Sequence, residues 1–390
     1  MTSDTRWLLP DGIDELLPER AAAVETLRRA LLDQCASWGY RYVIPPLVEF
    51  TDSLLVGLGA DLETLTCKFA DRLSGKTMGV RADMTPQAAR IDAHSLGEQG
   101  ITRLCYAGST LHSMPQSVMA GRSPIQLGAE IYGCEGLEAD LEVVELLLAL
   151  LDQCQLQSHH LPVTLDIGHV GIFEALLAEA DISDEASAQV FDALQRKSTP
   201  DLAPVLATLP TDLATKLIAL TELHGGADVL NRARDVLGSH PVACAAINDV
   251  AAVVKAIESR HPEVAIYIDL AELRGFRYHT GLVFAAYLEG IGSAVAKGGR
   301  YDNVGSVFGR ARPATGFACD LKALASAATG QGEQSGWVSS PTTDDQTLQA
   351  RIAQLRHQGR IVVRALQGQH DPRCTHTLVL VDNNWQLQPL

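Results

Sequence analysis

Three glycine-bearing segments in the second half of the chain constrain its fold most. They are Glu272-Leu273-Arg274-Gly275-Phe276-Arg277-Tyr278-His279-Thr280-Gly281, Lys297-Gly298-Gly299-Arg300-Tyr301-Asp302 and Thr315-Gly316-Phe317-Ala318-Cys319-Asp320-Leu321-Lys322. Strands are predicted on both sides of the first, at 264–270 and 281–288, because both runs are apolar and rich in β-branched and aromatic residues. The Gly298-Gly299 pair allows close backbone approach or positive φ, which a residue with a Cβ resists. Arg274 offers planar, bidentate pairing to a carboxylate or phosphate, or else a structural pair with Glu272 or Asp269.

The 390 residues, 46% hydrophobic and 20% charged, supply ample core for one large domain or two to three ordinary ones. A net charge of −16 sets up an average field that repels a phosphate backbone, so no nucleic-acid partner is expected. Eight scattered cysteines without a C-x-x-C pair suit reduced core thiols better than a disulfide frame or a zinc site. No run approaches the ~18 uninterrupted apolar residues of a membrane span, and the first residues lack a secretory core. The expectation is a cytoplasmic chain with no membrane contact, metal or cofactor.

From the N-terminus, Pro18 can start a helix that runs to Trp38 and ends in a left-handed turn at Gly39. A β-rich run, 39–50, is stopped by Pro45-Pro46, since proline cannot donate to a ladder. Two strands are predicted at 67–72 and 76–81 around a Ser74-Gly75 turn, followed by a helix from about Pro86. Asp83 and Thr85, just before it, either cap that helix or contact a ligand. A buried helix is expected over 141–156 and a strand over 163–169, with His169 as a turn residue. Residues 171–259 read as amphipathic helices. After Leu324 the composition turns to Gly, Ser and Gln, a linker over 325–336. The remainder, 337–390, reads as a small α/β domain with a helix at 343–358 and strands at 360–366 and 377–381.

From about Pro10 to Leu324 the series of motifs resembles the catalytic domain of histidyl-tRNA synthetases. The first of the three opening segments is similar to that family's R-G-L-D-Y-Y-T loop, the second to its G-G-R-Y-D turn and the third to its closing G-F-A-x-G-x-E-R helix. Residues 40–50 resemble the first class II motif, which implies homodimerisation through that region. Tyr106 to Gln116, Arg122 and Gln126 to Gly133 resemble the second. The resemblance implies an α+β fold: a class II aminoacyl-tRNA synthetase-like, mixed and mainly antiparallel sheet flanked by helices. Residues 1–324 would form the catalytic-core domain, with a helical insertion at 171–259 and a small C-terminal α/β domain behind it. It also implies that Asp83, Thr85, Gln126, Glu130, Arg274 and Tyr278 are remnants of a histidine site: acidic groups for an ammonium, an arginine for a carboxylate, a tyrosine to close over a ring.

The nucleotide end departs from the pattern. His112 stands for the arginine that clamps the α-phosphate, Met114 for the following glutamate and Ala323 for the ATP-binding arginine. Electrostatic stabilisation of that kind usually supplies much of the rate in such transfers, so no catalytic residue is assigned. In the histidine loop Arg277 replaces an aspartate and His279 a tyrosine. A synthetase-like body with these losses and no anticodon domain resembles the regulatory subunits of ATP phosphoribosyltransferase. In that family the protein catalyses nothing. It assembles with the short catalytic subunit into a hetero-octamer, activates it, and takes part in feedback regulation by histidine at the first step of histidine biosynthesis. Two other readings stay open: a stand-alone histidine sensor, and a divergent amino-acid-activating ligase using Arg122, Arg277, Arg310 or Arg312 as substitute cations.

Overall fold

The computed structural model describes residues 7–55, 60–116, 120–155, 162–180, 182–272, 278–328 and 336–390. The chain divides into two compact units, Met1–Ala328 and Thr329–Leu390. In the first, the strands are β1 Arg41–Tyr42, β2 Val48–Phe50, β3 Cys67–Ala70, β4 Thr77–Val80, β5 Thr102–Ser109, β6 Ile125–Tyr132, β7 Val163–His169, β8 His224–Gly225, β9 Ala265–Asp269, β10 Leu282–Leu288, β11 Ala296–Arg300 and β12 Ala314–Asp320.

Among the described residues, nine of these form one sheet in the order β1-β5-β6-β12-β11-β10-β7-β9-β8. Only β1–β5 and β7–β9 pair in parallel, so the sheet is mixed and mainly antiparallel, of the α+β kind expected from the sequence. The helix Pro18–Ser37 ends at Gly39 with φ 84, as the left-handed turn predicts. Its Leu31 and Cys35 are buried with the helix Leu137–Gln155, whose Leu146, Leu147, Leu150 and Leu151 are also inside. That helix begins earlier than expected, and Leu156 lies outside the described residues.

The run at 39–50 is shorter as strand than its β-rich composition suggests. Only Arg41–Tyr42 pairs with the sheet, although the Val43 N–H still reaches the Cys105 carbonyl at 2.9 Å. Two consecutive prolines remove the donors that would continue the ladder. The segment lies at the sheet edge with Ile44 77% and Leu47 51% exposed. β2, β4 and β3 make a separate small sheet, with Gly75 at φ 73 in the turn between β3 and β4.

The insertion is not purely helical. β8, within it, pairs with β9 and forms the other edge of the main sheet. Its last helix, Pro241–Arg260, is buried along Ile247, Val250, Val253, Val254 and Ile257 in the same core as β7 and β10. At the other end of the core domain the expected linker starts late. Alanine favours helix, and the helix Leu321–Ala327 runs past Leu324. The rest of the linker, 329–335, lies outside the described residues.

The second unit is a four-stranded sheet of β13 Trp337–Ser340, β14 Val362–Arg364, β15 Cys374–Val381 and β16 Asn384–Pro389, in the order β14-β13-β15-β16. Its helix starts at Gln346, three residues after the expected Thr343, because the Asp345 carboxylate caps it by accepting the Thr347 and Leu348 N–H groups. The strands β13 and β16 are not anticipated from composition. β16 follows a two-residue Asp382-Asn383 turn with both φ positive, at 47 and 62, the geometry of a tight hairpin.

Candidate ligand site

Strand period places Gln126, Gly128, Glu130 and Tyr132 of β6 on one face. β5 runs antiparallel beside it, with Tyr106 opposite Gly128 and Gly108 opposite Gln126. On the other side, β12 sets Gly316 opposite Glu130. Both glycines make room for neighbours. A Cβ on Gly128 would overlap the Tyr106 ring, and one on Gly316 would overlap Glu130 Oε2. The consequence is a carboxyl group sunk into the sheet and met by hydroxyls from three directions.

Glu130 is fully buried. Tyr106 donates its hydroxyl to Oε1 at 2.7 Å, Tyr301 donates to Oε2, and the Thr85 hydroxyl lies 2.9 Å from that of Tyr106. Among the described residues no cation pairs with it. Burial therefore dominates and pushes its pKa up to about 8, against the opposing hydrogen bonds from Tyr301 and Tyr106. Tyr278 stacks on Tyr301 with ring centroids 5.0 Å apart and an interplanar angle of 27°. Its hydroxyl is enclosed and makes no hydrogen bond of normal geometry among the described residues.

Asp83 and Gln126, both inferred as ligand contacts, bond to each other. Gln126 Nε2 donates to Asp83 Oδ1 at 2.7 Å, and Gln126 Oε1 accepts the Met84 N–H at 2.9 Å. The same Asp83 oxygen accepts the Thr85 N–H at 3.0 Å, a local turn bond just before the helix Thr85–Arg90, whose N-cap residue is Met84. Thus Asp83 fixes the turn into the helix while the Thr85 hydroxyl meets that of Tyr106. Arg274 and Arg277 lie outside the described residues. Asp269, one of the structural partners considered for Arg274, pairs with Lys197 at 2.7 Å.

At the other end the substituted positions have new local roles. His112 is 8% exposed and donates from Nε2 to the Ala82 carbonyl at 3.0 Å. Its N–H donates to the Arg122 carbonyl at 2.8 Å, while Arg122 Nε returns a bond to the His112 carbonyl at 3.0 Å. Met114 is exposed and Ala323 half-buried, and neither side chain can hold a phosphate. Of the four arginines considered as substitutes, the three among the described residues are committed to the fold. Arg122 is bound to its own hairpin, Arg310 donates to the Glu98 carbonyl at 2.7 Å, and Arg312 holds both oxygens of buried Asp92 at 2.7 and 2.9 Å.

Tyr106, Tyr301 and the spacing glycines Gly128 and Gly316 complete the site, though sequence reasoning did not select them. The signal was available for Tyr301, which stands inside the Gly298-Gly299-Arg300-Tyr301-Asp302 turn. Within that turn Arg300 donates from Nε and Nη2 to Asp140 at 3.0 and 2.7 Å, and Asp302 accepts the Ala314 N–H at 2.9 Å. The turn is thus a buried brace that delivers one hydroxyl to Glu130. Among the described residues no group of histidine, cysteine and carboxylate side chains is arranged to hold a metal ion.

A nine-stranded sheet with this hairpin, this brace and a buried carboxyl–tyrosine cluster defines a protein built on the class II synthetase body of the histidine-specific branch. The histidyl-tRNA synthetase family model matches residues 12–324, and the model for the ATP phosphoribosyltransferase subunit HisZ C-terminal domain matches 335–388. An ATP phosphoribosyltransferase regulatory subunit of Pseudomonas savastanoi pv. phaseolicola is 47% identical across 100% of both chains. A solved ATP phosphoribosyltransferase regulatory subunit/histidyl-tRNA synthetase from Bacillus halodurans is 26% identical, with a TM-score of 0.79 covering 93% of this chain and 94% of that one. An ATP phosphoribosyl transferase (HisG:HisZ) complex from Thermotoga maritima shares the fold at 19% identity and a TM-score of 0.58, over 79% of this chain and 98% of that one. The chain belongs to the family of ATP phosphoribosyltransferase regulatory subunits.

Proposed function

We propose that this chain is a non-catalytic regulatory subunit of ATP phosphoribosyltransferase at the first step of histidine biosynthesis. It docks on the short catalytic subunit in the cytoplasm, raises its activity and conveys feedback by histidine. What carries the first part is family membership along the full length, together with a nucleotide end where His112 and Ala323 fill the two arginine positions and Met114 fills that of the glutamate. A His112 locked to the Ala82 carbonyl is a structural residue, not a phosphate clamp.

The histidine end supports the second part. Among the described residues, the buried Glu130 carboxyl has no cation partner and the enclosed Tyr278 hydroxyl beside it no hydrogen bond, so the polar cluster is incomplete by itself. An ammonium or imidazole N–H would supply what Glu130 lacks. Homodimerisation through 40–50 belongs to the same proposal, because Ile44 and Leu47 stand exposed on the edge beside β1, and proteins usually cover such edges. A hetero-octamer with the catalytic subunit is the assembly proposed. The test is histidine-dependent ATP–pyrophosphate exchange by the purified chain. A rate at the no-protein blank is expected, and measurable exchange would return the chain to the ligases.

A further inference from the structure

The stack of Tyr278 on Tyr301 is fastened two residues further along the chain. His279, Thr280 and Gly281 lead from Tyr278 into β10, and Thr280 meets the turn that carries Tyr301. Its N–H donates to the Arg300 carbonyl at 2.7 Å. Its hydroxyl donates to Asp302 Oδ2 and accepts the Asp302 N–H, both at 3.0 Å. Arg300 and Asp302 are the two neighbours of Tyr301, so both sides of that ring's backbone are tied to one threonine.

The tie reaches the buried carboxyl through direct bonds. Asp302 Oδ1 accepts the Ala314 N–H at 2.9 Å, and the Tyr301 N–H donates to the Ala314 carbonyl at 2.7 Å. Ala314 begins β12, where Gly316 makes room for Glu130, and the Tyr301 hydroxyl donates to Glu130 Oε2. The threonine's single O–H is committed to a carboxylate, a bond of the stronger, charge-assisted kind. A side chain that closes over a ligand holds its geometry only when surrounding contacts fix it, and Tyr278 has Thr280 for this purpose.

We propose that Thr280 is a positioning residue for the amino-acid site: by tying both neighbours of Tyr301 it keeps Tyr278 stacked on that ring, and so sets how tightly the site holds its ligand. The affinity clause rests on the reading of Glu130 and Tyr278 as a histidine site; the positioning clause does not. Valine keeps the branched shape without the hydroxyl, alanine removes both, and serine restores the hydroxyl alone.

Full-length Thr280→Val, Thr280→Ala and Thr280→Ser proteins test this by thermal melting, fluorine NMR after fluorotyrosine labelling, and histidine calorimetry. The Tyr278 and Tyr301 signals are assigned from Tyr278→Phe and Tyr301→Phe proteins. Both signals should move in Thr280→Val and Thr280→Ala as the stack loosens. Histidine should bind these two variants roughly tenfold more weakly, about the worth of one hydrogen bond to a charged group. Thr280→Ser should keep the parental signals and affinity, which a lost methyl contact would not allow. Unmoved tyrosine signals in whichever of the valine and alanine variants folds, or a serine variant that behaves like alanine, would overturn the proposal. If the parent binds no histidine the reading of the site fails, and the tyrosine signals still decide whether Thr280 positions the stack.

Discussion

Gly316 faces Glu130 directly across the β12–β6 ladder, and the space of its absent side chain is taken by the Glu130 carboxyl, which lies where a Cβ would be. The carboxyl has nowhere else to go, since it is fully buried among Tyr106 and Tyr301. Gly316→Ala must therefore displace it. Overpacking a well-filled core typically costs about 1–3 kcal/mol, so the variant should melt lower and lose histidine binding in calorimetry. Unaltered melting and binding would mean that the pocket has slack the geometry does not show.

The raised pKa of Glu130 fixes a pH dependence. An ordinary glutamate ionises near 4.5, whereas burial moves this one to about 8. The folded chain thus retains a proton that the unfolded chain has released, and the stabilising contribution is full below pH 4.5 and lost as pH rises through 8. Glu130→Gln cannot titrate. Between pH 5 and 9 it should lose less stability than the parent, by at most about 5 kcal/mol given the size of the shift. Parallel stability–pH curves from denaturant titrations would contradict this.

The same group predicts proton release. A cationic ligand favours the carboxylate, so histidine binding near neutral pH should expel a proton from Glu130. Calorimetry in buffers of different ionisation enthalpy measures it directly. The release should vanish in Glu130→Gln.

Much of this fold can be traced to local sequence. Gly39 ends the first helix, the prolines at 45 and 46 stop β1, and the Gly298-Gly299 turn marks the brace. What escaped are features set by partners distant in sequence. Tyr106 reaches Glu130 only because the hairpin register puts Gly128 under its ring, and nothing near Tyr106 announces that register. Likewise β8 is two residues long and becomes a strand only through pairing with β9. Asp83 and Thr85 take separate local roles: the carboxylate accepts the Thr85 N–H in the turn before the helix, and the Thr85 hydroxyl meets that of Tyr106.

The Arg300–Asp140 brace makes a separate prediction. Asp140 is 2% exposed and Arg300 9%, so Asp140→Asn would leave a buried guanidinium with only the more exposed Asp302, 3.3 Å away, as counter-charge. Breaking one partner of such a pair usually costs about 3–5 kcal/mol, while replacing both with apolar residues costs far less. Chemical denaturation should show Asp140→Asn well below a double Asp140→Leu, Arg300→Met variant.

His112→Arg tests whether one residue separates this chain from an active ligase. The new guanidinium would lose the Ala82 bond, and Met114 and Ala323 would still leave the clamp incomplete. Removing one donor of a transition-state clamp costs ~10²-fold or more in rate. Restoring one of three positions should therefore leave pyrophosphate exchange at the blank and lower the melting temperature.

The regulatory reading itself is tested most directly by titrating this chain into a purified short catalytic subunit and measuring the rate of phosphoribosyl transfer to ATP. The rate should rise to a plateau at a fixed ratio of the two chains, and added histidine should then depress it. A catalytic subunit whose rate is the same with and without this chain, across the full titration, would contradict the account.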